Sequence, residues 1–299
     1  MNTDNTEAQE YFTQKSADYY RYHYEDITSK TKYPSLYLRH RYTLEMLGNT
    51  KGGKALDIGC GSGAMARELL DRGFDVTAAD ISQGMLDATR KTTAKHPRAK
   101  HITFTQQDIE HLTLPDNTFD VIICTGVIEY LKSDDKACAE LARVLKPGGV
   151  AFVSTQNRAS LARFFEEALF LIIPRRLKNK IVTVKQHRTH TPWQLDREMR
   201  RVGLTKEDFA YHHFYPLPIP LDRIFPRFCV WAGKQMERWH KKAWAWTLAT
   251  GFVVQYRKAA TQDNRSFLGT GPSRASSVAV SRPMRSGVHA NYSKASQTK

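Results

Sequence analysis

Between residues 54 and 156 the chain alternates two hydrophobic textures. Short runs rich in β-branched and apolar residues, KALDIG, DVTAAD, ITFTQQD, FDVIICTG and GVAFVSTQ, predict strands. Between them AMARELLDR, SQGMLDATRKTTAK and DDKACAELARVL repeat apolar residues three or four positions apart, the period of a helix with one buried face. Gly73 follows the first of these as a C-cap, and Ser82 opens the second as an N-cap. Such alternation predicts βαβ units, hence a mostly parallel sheet covered by helices on both faces.

The flanks read differently. Residues 8 to 48 predict tyrosine-rich helices, YFTQKSADYYRYHYED and PSLYLRHRYTLEML, lying over one end of the sheet. Beyond 156 come an apolar helix running into a basic cluster, NRASLARFFEEALFLIIPRRLKNK, and a helix delimited by Thr-Pro and Gly, RTHTPWQLDREMRRVG. LTKEDFAYHHF and GFVVQYRK predict two late strands. A long helix from about 221 to 247 is expected between them, with Leu221, Ile224, Phe228, Trp231, Trp239, Ala243 and Trp246 in one stripe and lysines and arginines mostly on the other side. That pattern fits either an interfacial helix or one that faces the core. Residues 261–299 hold eight serines, six basic residues and one acid, and are expected to be a disordered basic tail.

Charge adds a preference for anionic partners. The 299 residues carry 45 Lys and Arg against 30 Asp and Glu, a net +15. The tail accounts for 6 − 1 = +5, so the remainder keeps 15 − 5 = +10. An anionic membrane surface is therefore a candidate partner, and no specific nucleic acid is expected. The four cysteines include no CxxC pair, which points away from a zinc site or a disulfide framework. The N-terminal MNTDNTEAQEYF lacks a signal-like apolar core, and no apolar run reaches the roughly 20 residues a bilayer span needs. These features predict a cytoplasmic chain, at most peripheral on the inner face of the membrane.

The candidate chemistry sits in LDIGCGSGAMARELLDRG, where the first strand meets the first helix. Gly59, Gly61 and Gly63 let a ligand approach the backbone, and the helix start offers unpaired N–H groups. A dinucleotide is one guest, since Gly59-x-Gly61-x-x-Ala64 passes the permissive pattern with Asp80 downstream. Asp57, two residues before the first glycine, argues instead for a ligand carrying a positive charge beside its anionic group.

These residues resemble the class I S-adenosylmethionine-dependent methyltransferases. The likeness runs from about 54 to 156, through Asp57-x-Gly59-x-Gly61-x-Gly63, ADIS with Asp80, QQDIEHLTLPDNTFDVIIC and LARVLKPGGVAFVS. It implies a doubly wound, mostly parallel seven-stranded Rossmann-like sheet over 49–260, with a helical N-terminal lid over 1–48 and helical insertions at about 157–190 and 221–247. It also implies S-adenosyl-L-methionine as cofactor. Asp57 and the glycine turn would take the methionine portion, Asp80 the ribose, and Asp108 with Ile109 the adenine edge. Ile81, Met85 and Thr125 would line the same cleft, with Tyr19 from the lid above it, Tyr11 and Tyr20 being further candidates.

Methyl transfer from a sulfonium needs alignment more than strong acid–base chemistry. The candidate proton acceptors are Glu129, in GVIEYL, and His190, in QHRTHT; His187, His212 and His213 are weaker ones. Quinone-pathway O-methyltransferases carry VLEHV where this chain has Tyr130 after the glutamate, so no metal site is predicted. The expected activity is O-methylation of a lipophilic or membrane-associated small molecule. Methylation of a sugar or soluble intermediate, and cofactor binding without turnover, are the alternatives. Oligomeric state is left open.

Overall fold

The computed structural model describes residues 9–14, 34–172, 188–214, 216–217 and 224–260. Seven strands form one sheet in the order β3-β2-β1-β4-β5-β7-β6. They are β1 (Lys54–Ile58), β2 (Asp75–Asp80), β3 (Ile102–Gln106), β4 (Phe119–Thr125), β5 (Leu145–Gln156), β6 (Leu204–Phe214) and β7 (Ala249–Lys258). The first five are parallel, and β7 runs antiparallel to both β5 and β6. This is the doubly wound sheet that the alternating texture predicts. Buried clusters lie on both faces, one around Leu56, Ile122, Phe252 and Tyr256 and another around Leu69, Phe74 and Phe152.

The helices are α1 (Ser35–Leu47), α2 (Ala64–Asp71), α3 (Gln83–Thr93), α4 (Asp135–Val144), α5 (Leu161–Ile172), α6 (Pro192–Arg201) and α7 (Pro226–Met236). Ser82 caps α3 by accepting from the Met85 N–H at 3.3 Å, and Thr191 opens α6 with a complete capping box. Gly73 follows the end of α2 with φ +84°.

Two expectations need correction. The strand predicted over GVAFVSTQ begins earlier, at Leu145, so Lys146-Pro147-Gly148-Gly149 belongs to β5, which pairs with β4 across a register shift between Phe119 and Val121. The helix expected over 221–247 is instead α7 followed by two 3₁₀ turns, Glu237–Trp239 and Ala243–Thr247. It breaks at Glu237 because that carboxylate turns inward, where it accepts from the Tyr42 hydroxyl at 2.6 Å and from the His213 N–H at 3.0 Å. Ala245 is buried and Trp246 packs on the core beside Trp193, so the apolar stripe does not stay on one face. The tail at 261–299, Tyr19 and Tyr20 of the lid, His187, and most of the 157–190 insertion beyond α5 lie outside the described residues. Among the described residues no helix is long and apolar enough to cross a membrane.

Candidate active site

Strand order reverses between β1 and β4, and the carboxyl ends of open α/β sheets collect ligands at such a point. The cleft found there offers about 1040 Å³ including its open mouth.

Its floor is the turn from β1 to α2. Gly59, Gly61 and Gly63 all have positive φ, at +72°, +55° and +82°. At Gly59 a Cβ would also sit 2.3 Å from the Val127 side chain, so the strand end and the β4 loop touch only because this residue has none. Asp57, on the last turnward stretch of β1, is 3% exposed, and its Oδ2 has no hydrogen-bond partner among the described residues. Burial first, and then the nearby Asp80, raise its pKa from 3.8 to about 7. A buried carboxylate held at that cost calls for a cation, and an amino acid ammonium supplies one.

Asp80 closes β2. Its two oxygens accept from the Gly61 N–H at 3.0 Å and the Ser82 N–H at 2.9 Å, which tie the glycine turn to the start of α3. Burial pushes its pKa up against those bonds. Each oxygen keeps a further lone pair, enough for a ribose diol. Ile81, Met85, Asp108 and Ile109 continue the wall from there; Met85 and Ile109 are buried, and Asp108 accepts from the Glu110 N–H at 3.0 Å. This run presents an apolar slot with a polar edge, the form an adenine needs. The residues present therefore fit S-adenosylmethionine from end to end: carboxylate, glycine turn, diol acceptor and slot.

The opposite wall was not legible in the sequence. Phe12, from the helical turn at 9–14, lines the cleft and meets Tyr130 edge to face at 5.0 Å, while the neighbouring Thr13 hydroxyl lies 2.8 Å from that of Ser82. Arg39 and His40 reach the cleft from α1. A Cβ on Gly126 would lie 2.5 Å from an Arg39 guanidinium nitrogen, so that glycine, at φ +74°, makes room for the arginine. Among the described residues Arg39 has no ion-pair partner, which suits it to a carboxylate of the ligand. Burial, with Arg39 adding to it, lowers the His40 pKa to about 4, so its imidazole is neutral at physiological pH. Thr125, Gly126, Val127 and Leu131 complete the lining.

The two proton acceptors read from the sequence are placed elsewhere. His190 is 4% exposed and both its ring nitrogens are engaged, with the Thr155 hydroxyl at 2.9 Å and the Asp134 carboxylate at 2.8 Å. Arg188 pairs with the same Asp134 at 2.9 Å. His190 thus holds residues 188–191 against β5 and the loop before α4, and has no lone pair to offer an acceptor. Glu129 is buried, its carbonyl accepts from the Arg188 N–H, and it is absent from the cleft lining, which its neighbour Tyr130 enters instead. Burial alone would lift the Asp134 pKa, but its bonds to His190 and Arg188 bring it below the ordinary value. His212 is buried with its ring against Gly251, and His213 bonds the Thr250 hydroxyl at 2.7 Å. Among the described residues no group of three or more His, Cys, Asp or Glu is arranged to hold a metal ion.

Comparison with known proteins agrees with this geometry. Residues 56–153 match the family described as a methyltransferase domain. The chain is 28% identical over 176 residues to the ubiquinone biosynthesis O-methyltransferase of Coxiella burnetii, covering 58% of this chain and 72% of that protein. It is 38% identical over 118 residues to the malonyl-[acyl-carrier protein] O-methyltransferase of Serratia marcescens, covering 40% of this chain and 44% of that one. In fold it is similar to magnesium protoporphyrin IX methyltransferase from Synechocystis PCC 6803, solved with bound SAH, at a TM-score of 0.60 and 16% identity over 86% of this chain and all of that one. The cleft, the matched domain and these relatives together support a class I S-adenosylmethionine-dependent methyltransferase.

Proposed function

We propose that the protein methylates a hydroxyl oxygen on a small lipophilic acceptor, met at or near an anionic membrane. The observation that carries this reading is the wall opposite Asp57. There Phe12, Val127, Tyr130 and Leu131 make an apolar surface interrupted by one neutral imidazole, His40. An apolar acceptor body would pack on that surface, excluding water from the reaction.

When bound, S-adenosylmethionine would supply an electrophilic methyl group, with a neutral thioether as the leaving group. This chain's part is to orient and to accept a proton. Asp57 holds the ammonium and Asp80 the ribose, which fixes where the methyl points. Arg39 is suited to the carboxylate at the methionine end. His40 takes the proton of the acceptor hydroxyl as the oxygen–carbon bond forms and the carbon–sulfur bond breaks, its electron pair returning to sulfur. Its imidazole is neutral at physiological pH, the protonation state that can accept a proton. His40 thereby replaces Glu129 and His190 in this role.

The test is incubation of the purified protein with trideuteromethyl S-adenosylmethionine and, separately, organic and aqueous extracts of its host cell. Label in an organic-soluble phenol or enol ether supports the reading. Label confined to water-soluble sugars or to carboxyl esters overturns it.

A further inference from the structure

We infer that α7 and the turn before it form a docking surface for an anionic lipid bilayer. This extends the reading above by naming the face through which the protein meets the membrane. α7 is held from one side, where Cys229, Val230 and Gly233 are buried. On the opposite side Ile224, Phe225, Phe228 and Trp231 project into solvent at 60%, 54%, 49% and 61% exposure, and Trp244 of the following turn is 48% exposed. Phe228 and Trp231 lie 6.1 Å apart as a ready-made apolar knob. Aromatic side chains left this open on a fixed helix are unusual unless something covers them.

Charge identifies the cover. From 224 to 248 the chain carries Arg227, Lys234, Arg238, Lys241 and Lys242 against one acid, Glu237, which is buried on Tyr42 and the His213 N–H. Lys241 is paired with Asp208 at 2.7 Å. Arg227, Arg238 and Lys242 are exposed and have no carboxylate partner among the described residues. A second copy of this chain would meet the patch with the same patch, setting cations against cations. A nucleic acid would find no use for Ile224. An anionic bilayer matches both components, with tryptophan and phenylalanine at headgroup depth and arginine and lysine on the phosphates.

The location fits the chemistry. Phe214 of β6 pairs with Ala249 of β7, and Gly251 of β7 with Gln156 at the end of β5. The segment carrying α7 therefore leaves and rejoins the sheet at the end where β1 and β4 open into the cleft.

The experiment is co-sedimentation with phosphatidylglycerol vesicles and with phosphatidylcholine vesicles, at low and high salt. Expected is binding to phosphatidylglycerol alone, weakened by salt and reduced about tenfold or more by Phe228→Ser with Trp231→Ser, and likewise by Arg227→Glu with Arg238→Glu and Lys242→Glu. Brominated phosphatidylglycerol should quench wild-type tryptophan emission more than that of Trp231→Phe. All these positions are exposed, and calorimetric binding of S-adenosylhomocysteine checks that the variants are folded. The inference is overturned by no binding at low salt, by binding that neither variant set alters, or by a concentration-dependent dimer that the Phe228/Trp231 variant abolishes. None of these readouts needs a methyl acceptor. Docking without methylation of any organic-soluble acceptor would remove the proposed activity and leave the surface standing, and the converse result would do the opposite.

Discussion

Replacing Asp57 by asparagine is expected to stabilise the cofactor-free protein while weakening its hold on the cofactor. In the folded chain burial and Asp80 lift the Asp57 pKa from 3.8 to about 7. The folded state therefore binds this proton more tightly than the unfolded state does, and stability falls as pH rises through that window. About three pKa units at 1.36 kcal/mol each make the ionised carboxylate cost roughly 4 kcal/mol above about pH 7. Asparagine keeps the shape and removes the charge, but leaves its amide short of partners at a cost of about 1–3 kcal/mol, so a net gain of about 2 kcal/mol remains. For a domain of this size that is a Tm higher by roughly 4–8 °C in apo protein at about pH 8. Below about pH 4, where the wild-type carboxyl is protonated in both states, the gain should give way to the amide's own cost of about 1–3 kcal/mol.

The same substitution removes the charge proposed to meet the cofactor's ammonium. A charge-assisted hydrogen bond of about 1.5–3 kcal/mol corresponds to a Kd raised roughly 10- to 150-fold for S-adenosylhomocysteine. Wild-type affinity should also tighten from about pH 5.5 to 7 as Asp57 ionises, a dependence the variant lacks; above about 7.7 the ligand's own amine begins to titrate. Scanning calorimetry of the apo protein at both pH values, with titration calorimetry for the ligand, reads both effects. An apo Tm at about pH 8 equal to or below wild type, together with unchanged affinity, would refute the assignment of Asp57 as an unpaired charge awaiting a cation.

Asp80→Ala should weaken S-adenosylhomocysteine by about 1–3 kcal/mol, and because the Gly61 and Ser82 N–H groups lose their acceptor it should also lower Tm, both read by calorimetry. Gly59→Ala, at φ +72° and 2.3 Å from Val127, should cost about 1–3 kcal/mol of stability and abolish detectable cofactor binding, with Val127→Ala recovering only the steric part. His40→Gln should lower kcat about 10²- to 10⁴-fold while leaving cofactor affinity near wild type, and should make the rate climb with pH where the wild-type rate, its imidazole pKa being about 4, is flat on that limb. His190→Ala should act on stability instead, leaving the buried Asp134 carboxylate with Arg188 alone and lowering Tm by several degrees with little change in cofactor Kd.

What could be read from the sequence was whatever a local pattern encodes. All seven strands were legible because β1 to β5 and the two late strands each carry their own run of strand formers, and Ser82 and Gly73 punctuate helices as capping chemistry requires. Much of the floor of the cleft was equally legible, since Asp57, Gly59, Gly61 and Asp80 line it from strand ends in fixed order, whereas Gly63 packs toward Thr89 of α3 and lies outside the lining. The other wall was not. Phe12, Arg39 and His40 reach it from a helical turn and a helix far from the glycine motif, and nothing in YLRHRY says which side chains will face a cleft. His190 was misread for a related reason. A histidine before a helix looks available in sequence, whereas its partners Thr155 and Asp134 lie 35 and 56 residues away.

The helix α1 joins the two halves of this functional picture. Arg39 and His40 line the cleft, and one turn later Tyr42 donates to Glu237 at the end of α7 while stacking on His240 at 4.3 Å. Tyr42 is fully buried, and its phenol is held protonated by burial and by Glu237 beside it, so this contact is a fixed joint and not a titrating one. Glu237 in turn accepts from the His213 N–H, fastening the joint to the end of β6. The break in the long helix expected over 221–247 therefore has a use. It frees one carboxylate to bind α1 to the segment whose aromatic face is proposed to meet the bilayer, so that the proposed docking would seat the helix bearing Arg39 and His40 as well.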